Sequence, residues 1–115
     1  KFGGMKVQRD EYRLLADARA AQEAGAFGVL LELIPREIAA QITRELTVPT
    51  IGIGAGPDCD GQVLVSYDML GLTDGFHPKF VKHFAELRAE ATRAAQQYVA
   101  EVRSGAFPDD AHSHR

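Results

Sequence analysis

The sequence predicts an α/β fold with parallel strands. Three observations carry that expectation. The run Phe27-Gly28-Val29-Leu30-Leu31-Glu32-Leu33-Ile34-Pro35 is apolar except for one carboxylate, and such a run reads as a strand buried on both faces. Thr50-Ile51-Gly52-Ile53 is a second, β-branched strand. Segments with helical spacing stand before, between and after these two. Strand and helix therefore alternate, which implies parallel pairing through right-handed crossovers. The predicted units are about 25–30 residues each, the size of a unit of a (β/α)8 TIM barrel. Roughly three to four such units are less than half a barrel, and an open sheet of that width leaves its edges bare.

The elements follow in order. The first helix is predicted from about Asp10 to Gly25. Asp10 suits the N-cap, Glu11 the first turn and Gly25 the C′ position. Tyr12, Leu15, Ala16 and Arg19 would line its inner face. After the Phe27–Ile34 strand, Pro35 fits a first helical turn, where its missing N–H costs nothing. The second helix then carries Ile38, Ala39, Ile42 and Leu46 at helical spacing and stops at Val48-Pro49. Asp58 or Asp60 would cap a third helix reaching about Leu70, with Val63, Leu64 and Tyr67 on its apolar side. Lys79–Phe84 reads as a short strand. Leu87, Ala91, Ala94, Ala95, Tyr98 and Val102 mark a long C-terminal helix, ended by Gly105 and Pro108. The stretch from 105 to 115 reads as a polar tail in a single domain of 115 residues.

Composition excludes several classes. The chain is 45% hydrophobic and 25% charged, with net charge −3. No basic cluster with interleaved aromatics suggests a nucleic-acid surface. No apolar run approaches the roughly 18 residues of a membrane span, and the first residues lack the apolar stretch of a signal peptide. Cys59 is the single cysteine, so there is no internal disulfide framework. The expected setting is the cytoplasm. The start on Lys1, in a Gly-rich segment, leads to the expectation of a part of something longer or of a processed product.

Glu32 is the first candidate for chemistry. A lone carboxylate in a buried strand costs several kcal/mol unless it finds partners or raises its pKa. It lies near the C-terminal end of its strand, where parallel α/β folds place their reactive groups. The alternative is a frayed strand end with Glu32 in water. Gly52, Gly54 and Gly56 follow a strand and precede a predicted helix. They read as a tight turn bordering a ligand site, or as a packing turn without a ligand; the G-x-G-x-G spacing is a weak match to a dinucleotide loop. His112, His114, Asp109 and Asp110 have metal-binding side chains but sit in the tail. His77 and His83 flank the predicted short strand. Cys59 has no activating base beside it in sequence.

Several segments, taken together and in order, resemble the ketopantoate hydroxymethyltransferase family. They are Gly3-Gly4-Met5-Lys6-Val7-Gln8, Leu31-Glu32-Leu33-Ile34-Pro35, Pro49-Thr50-Ile51-Gly52-Ile53-Gly54-Ala55-Gly56, Asp60-Gly61-Gln62-Val63-Leu64-Val65, Lys79-Phe80-Val81-Lys82, and Gly105-Ala106-Phe107-Pro108 with His112-Ser113. The resemblance covers nearly the whole chain and the C-terminal part of the family's pattern. It implies a TIM barrel of the phosphoenolpyruvate/isocitrate-lyase type. It implies transfer of a hydroxymethyl group from 5,10-methylenetetrahydrofolate to the 2-oxo acid 3-methyl-2-oxobutanoate, giving 2-dehydropantoate for pantothenate synthesis. It also implies Mg²⁺, with ligands in the absent N-terminal half and none in this chain, and a homo-oligomeric assembly. Glu32 occupies the position of the family's proton acceptor in its L-E-x-[VI]-P segment; a carboxylate in an apolar barrel mouth is expected to have the raised pKa of a general base. Gly52, Gly54 and Gly56 would form a substrate-facing wall. Where the family carries glycine after Val-Gln, this chain has Arg9. Two other readings stand beside this one: a non-catalytic half-barrel that serves assembly, and a phosphate-binding half-barrel.

Overall fold

The computed structural model describes residues 6–7 and 9–115. The segment Gly3–Met5 and Gln8, which contributes to the first family-like motif, lies outside the described residues. The described residues form two compact units. One holds the chain up to Val65 together with His77–Val81; the other holds Ser66–Phe76 and Lys82–Arg115.

The first unit begins with helix α1, Glu11–Glu23. Its N-cap is the expected Asp10, whose carboxylate accepts from the Arg13 backbone N–H at 3.0 Å. Gly25 follows the C-cap with φ +97°, the left-handed conformation that suits the C′ position. Strand β1, Val29–Glu32, comes next, then helix α2, Arg36–Glu45, and strand β2, Thr50–Ile53. A two-residue strand β3, Gly61–Gln62, completes a parallel sheet in the order β1-β2-β3. Leu31 pairs with Gly52 and Glu32 with Ile53. Gly52 pairs in turn with Gln62.

The helices cover one face of this sheet. Leu31, Ile34, Ile38, Ala39, Ile42, Leu46 and Ala55 form the core with Leu14 and Ala18 of α1. All four apolar positions expected in the second helix are buried there, because i, i+3 and i+4 spacing sets them in one stripe. In α1 the buried positions are Leu14 and Ala18, and Tyr12 is 86% exposed. The inner stripe is thus rotated from the expected Tyr12, Leu15, Ala16 and Arg19, and of these only Leu15 packs at its margin. Arg19 instead reaches the Glu45 carboxylate of α2. That hydrogen bond, with one from Gln41, holds the Glu45 carboxyl below the usual carboxylate range; the pair is solvent-exposed and adds little to stability.

The other face is bare. Leu30 is 59% and Ile51 36% exposed, and Glu32 is exposed at the strand end. The expectation of a first strand buried on both sides is therefore corrected, since among the described residues of this unit no helix covers Leu30 and Glu32. The strand is also shorter than Phe27–Ile34. Phe27 is 93% exposed, and the backbone turns at Leu33 with φ +54°.

The expected third helix from Asp58 or Asp60 is corrected as well. Asp60 does not cap a helix; its carboxylate accepts from the Thr50 N–H at 2.8 Å, and its own N–H donates to Thr50 Oγ1 at 3.2 Å. These bonds tie β3 to β2, and Val63 N–H adds a ladder bond to Gly52 O. Thr50 is fully buried. The Thr43 hydroxyl donates to Ala39 O at 2.8 Å, which leaves the Thr50 hydroxyl to donate to Thr43 Oγ1 at 2.8 Å. Thr50→Val keeps the β-branched shape but strips the Asp60 N–H of its acceptor. It is expected to lower stability by about 1–3 kcal/mol. The check is the urea unfolding midpoint; an unchanged midpoint would show that this network contributes nothing.

The second unit contains the short helix α3, Ser66–Met69, and the long helix α4, Leu87–Ser104. Lys79–Phe84 forms no strand: Val81 N–H closes a turn on Pro78 O, and Phe84 N–H bonds Met69 O at the end of α3. With its backbone bonds spent on turns, the segment has no ladder to join. Gly105 ends α4 with φ +79°, as expected of the residue there. No residue of α4 is buried. The polar tail is partly ordered: Asp109 caps a 3₁₀ turn, Asp110–His112, by accepting from the His112 N–H at 3.0 Å. Phe107 stands edge-on to Tyr98 of α4 at 5.9 Å between ring centres. Among the described residues, no helix is long and apolar enough to cross a membrane.

Candidate active site

Pleating decides where Glu32 points. Leu31 and Thr50 turn toward the helices and are buried. Alternation therefore sends Leu30, Glu32, Ile51 and Ile53 to the opposite face, with Glu32 beside Ile53 in register. The carboxylate has no hydrogen-bond or ion-pair partner among the described residues. It closes the C-terminal end of β1, next to a depression at the strand's outer edge that Leu14, Asp17, Ala18 and Ile34 also line. A free carboxylate among aliphatic side chains, at the C-terminal edge of parallel strands, has the chemistry of a proton acceptor.

The loops at this edge are built around absent side chains. Leu33 and Gly54 follow Glu32 and Ile53, and both take the left-handed region, with φ +54° and +64°. For a non-glycine residue that conformation costs roughly 1–2 kcal/mol. A Cβ on Gly54 would stand 2.9 Å from Leu33 Cδ2 and 3.1 Å from Phe80 Cδ1. A Cβ on Gly56, itself at φ +83°, would come within 2.4 Å of Arg36 Cβ, and one on Gly52 within 2.8 Å of Cys59 Sγ. Arg36, the first residue of α2, pairs with Asp58 at 3.6 Å across the two loops. Gly54 and Gly56 thus share the strand-end loops with Glu32. Gly52 lies in register with Leu31, on the helix side of the sheet, away from the Glu32 face.

Cys59 is half-buried against the core. His83 Nδ1 lies 3.5 Å from Glu86 Oε1. His112 Nδ1 lies 2.6 Å from Asp109 Oδ1 within the C-terminal turn. Among the described residues no group of three or more His, Cys, Asp or Glu side chains gathers to hold a metal ion. Leu33, Phe80 and the Arg36–Asp58 pair escape sequence reasoning. Leu33 reads as one more strand residue, and nothing local in Lys79-Phe80-Val81 marks the ring as a cover for Gly54.

A parallel βα sheet with a carboxylate at its C-terminal edge defines the class: an α/β protein of the kind that sets reactive groups on strand ends. The family described as ketopantoate hydroxymethyltransferase matches residues 1–110. The chain belongs to that family. It is 56% identical over 115 residues to a 3-methyl-2-oxobutanoate hydroxymethyltransferase of Desulforapulum autotrophicum, covering 100% of this chain and 44% of the relative. Over 116 residues it is 59% identical to the protein of that name from Pelobacter propionicus, covering 98% of this chain and 43% of the relative. Chlorobaculum parvum has another, 50% identical over 118 residues, covering 99% of this chain and 43% of the relative. The chain thus spans less than half the length of the curated relatives it matches.

Proposed function

We propose that this chain supplies the proton acceptor of a hydroxymethyl transfer from 5,10-methylenetetrahydrofolate to 3-methyl-2-oxobutanoate, as the C-terminal part of a TIM barrel of the phosphoenolpyruvate/isocitrate-lyase type. The observation that carries this is the exposed Glu32 carboxylate, without a hydrogen-bond or ion-pair partner among the described residues, at the C-terminal end of β1. The relatives' name supports the reaction, and a parallel sheet of three strands among the described residues, too few to close, is consistent with a portion of a barrel.

The chemistry assigned to Glu32 is one proton transfer. The C3–H bond of the 2-oxo acid is acidified by the neighbouring keto group. Glu32 takes that proton, and the electron pair left at C3 attacks the one-carbon unit on folate. A new C–C bond forms at the methylene carbon, its two C–N bonds to folate N5 and N10 break, water supplies the hydroxyl on that carbon, and the proton taken by Glu32 and the second proton of water end on the two folate nitrogens. Leu30, Ile51 and Ile53 flank the carboxylate and keep that corner apolar. Gly54 and Gly56 hold the loops close to the strand ends, as a wall for the substrate. The Mg²⁺ implied by the resemblance is assigned to the portion outside this chain, and no step given to this chain passes through it.

The test is complementation. The chain is combined with the remaining portion of a relative such as the D. autotrophicum protein, and 2-dehydropantoate formation is assayed with Mg²⁺ present. Turnover by the combination, absent from either part alone, is the expected result. A second reading, assembly through a second copy of this chain, is favoured by α4, whose Leu87, Tyr98, Val99 and Val102 are all exposed. A folded oligomer in light scattering, with no turnover after complementation, would decide for it.

A further inference from the structure

We infer that Leu33 is a positioning residue for Glu32, held in a left-handed turn by a seat that Gly54 opens and Phe80 closes. The inference rests on the proton-acceptor reading of Glu32 and deepens it.

The chain is fixed on both sides of the Glu32 side chain. On one side the parallel ladder holds β1 against β2, ending with the Leu33 N–H bonded to Ile53 O at 3.0 Å. On the other, Leu33 turns the chain at φ +54°. Leucine seldom takes that conformation, and nothing about leucine favours it locally. Something outside the residue must hold it there. The half-buried Leu33 side chain crowds the space that Gly54 leaves open: a Cβ on Gly54 would stand 2.9 Å from Leu33 Cδ2 and 3.1 Å from Phe80 Cδ1. Gly54 therefore serves this turn by what it lacks. Phe80 brings a third segment of the chain to bear on the same spot.

Glycine at position 33 would end the strand with no conformational cost. Leucine there does something glycine does not: it ties the turn to the neighbouring strand-end loop. If the tie is lost, residue 33 relaxes to a commoner φ, and the peptide following Glu32 rotates with it. The carboxylate then leaves the line of attack. Misplacement of a reacting group by about 1 Å costs on the order of 10²-fold in rate. A strained backbone beside a reactive group is a recurring device in active sites.

The substitutions are made in the complemented protein, where kcat, KM and melting temperature are read together. Leu33→Ala is expected to lower kcat by about 10- to 100-fold with KM changed far less. Leu33→Gly is expected to recover part of that loss, because glycine accepts the positive φ that alanine resists. A purely packing role predicts the reverse order, since glycine removes as much apolar contact and loosens the backbone. Phe80→Leu, which thins the seat without touching residue 33, is the second variant, and a fall in kcat at constant KM supports the proposal. Alanine equal to or faster than glycine, or losses confined to KM or melting temperature, would overturn it. Glu32→Gln is measured beside them. If Glu32→Gln abolishes turnover while the Leu33 order is reversed, the positioning role alone fails. If Glu32→Gln runs at the unsubstituted rate, the proton-acceptor reading fails and takes this proposal with it.

Discussion

Glu32→Gln is expected to lower kcat of the complemented protein by about 10²- to 10⁴-fold, the usual range for losing a positioned general base. The substitution is nearly isosteric. It keeps the side chain's length and polarity and removes only the ability to take a proton. KM for the 2-oxo acid should therefore move little, since the lost interaction belongs to the transition state. Exchange of the C3 proton with solvent, followed by NMR without folate, should fall by a similar factor, because it reports the proton transfer alone. Retention of both rates would remove Glu32 from the chemistry. Loss of turnover with exchange intact would move its role to a later step.

Gly56→Ala should have a large effect on stability. Two costs act together. A left-handed backbone costs alanine roughly 1–2 kcal/mol, and forcing a methyl group into a filled space adds about 1–3 kcal/mol. The new Cβ would come within 2.4 Å of Arg36 Cβ, an atom fixed by the start of α2 that cannot swing aside. Gly25→Ala separates the two costs. Its φ is +97°, and no atom lies within 4 Å of the added Cβ, so it should show the strain without the clash. A larger fall in urea midpoint for Gly56→Ala than for Gly25→Ala is the expected result. Equal effects, with a raised KM for Gly56→Ala, would mark Gly56 as a substrate wall rather than a packing residue.

Much of the first unit is legible in the sequence because its signals are local. Asp10 caps α1, and Gly25 follows its C-terminus. Ile38, Ala39, Ile42 and Leu46 form one stripe, and that stripe is buried. The alternation that predicts parallel strands holds for β1, α2 and β2, whose strands pair in parallel, whereas β3 follows β2 with no helix between them. What is not legible depends on partners distant in sequence. Asp60 has the chemistry of a helix cap, yet its carboxylate and N–H both engage Thr50, ten positions earlier. The glycines read as room for a ligand, and the structure fills each space with a specific atom of Cys59, Leu33, Phe80 or Arg36. The apolar run around Glu32 reads as buried on both faces, and the face opposite the helices is open. Hydrophobicity shows that a residue belongs inside; it does not show that the cover is part of the same chain.

The order of the strands has a consequence for how this unit assembles. Each strand pairs with the next one along the chain, so every sheet contact joins segments that emerge in succession during synthesis. Contacts of short sequence separation form quickly, because little chain entropy is lost in closing them. β2 meets β1 as soon as α2 is complete, and β3 follows after a short loop. The sheet can grow by accretion, one strand at a time.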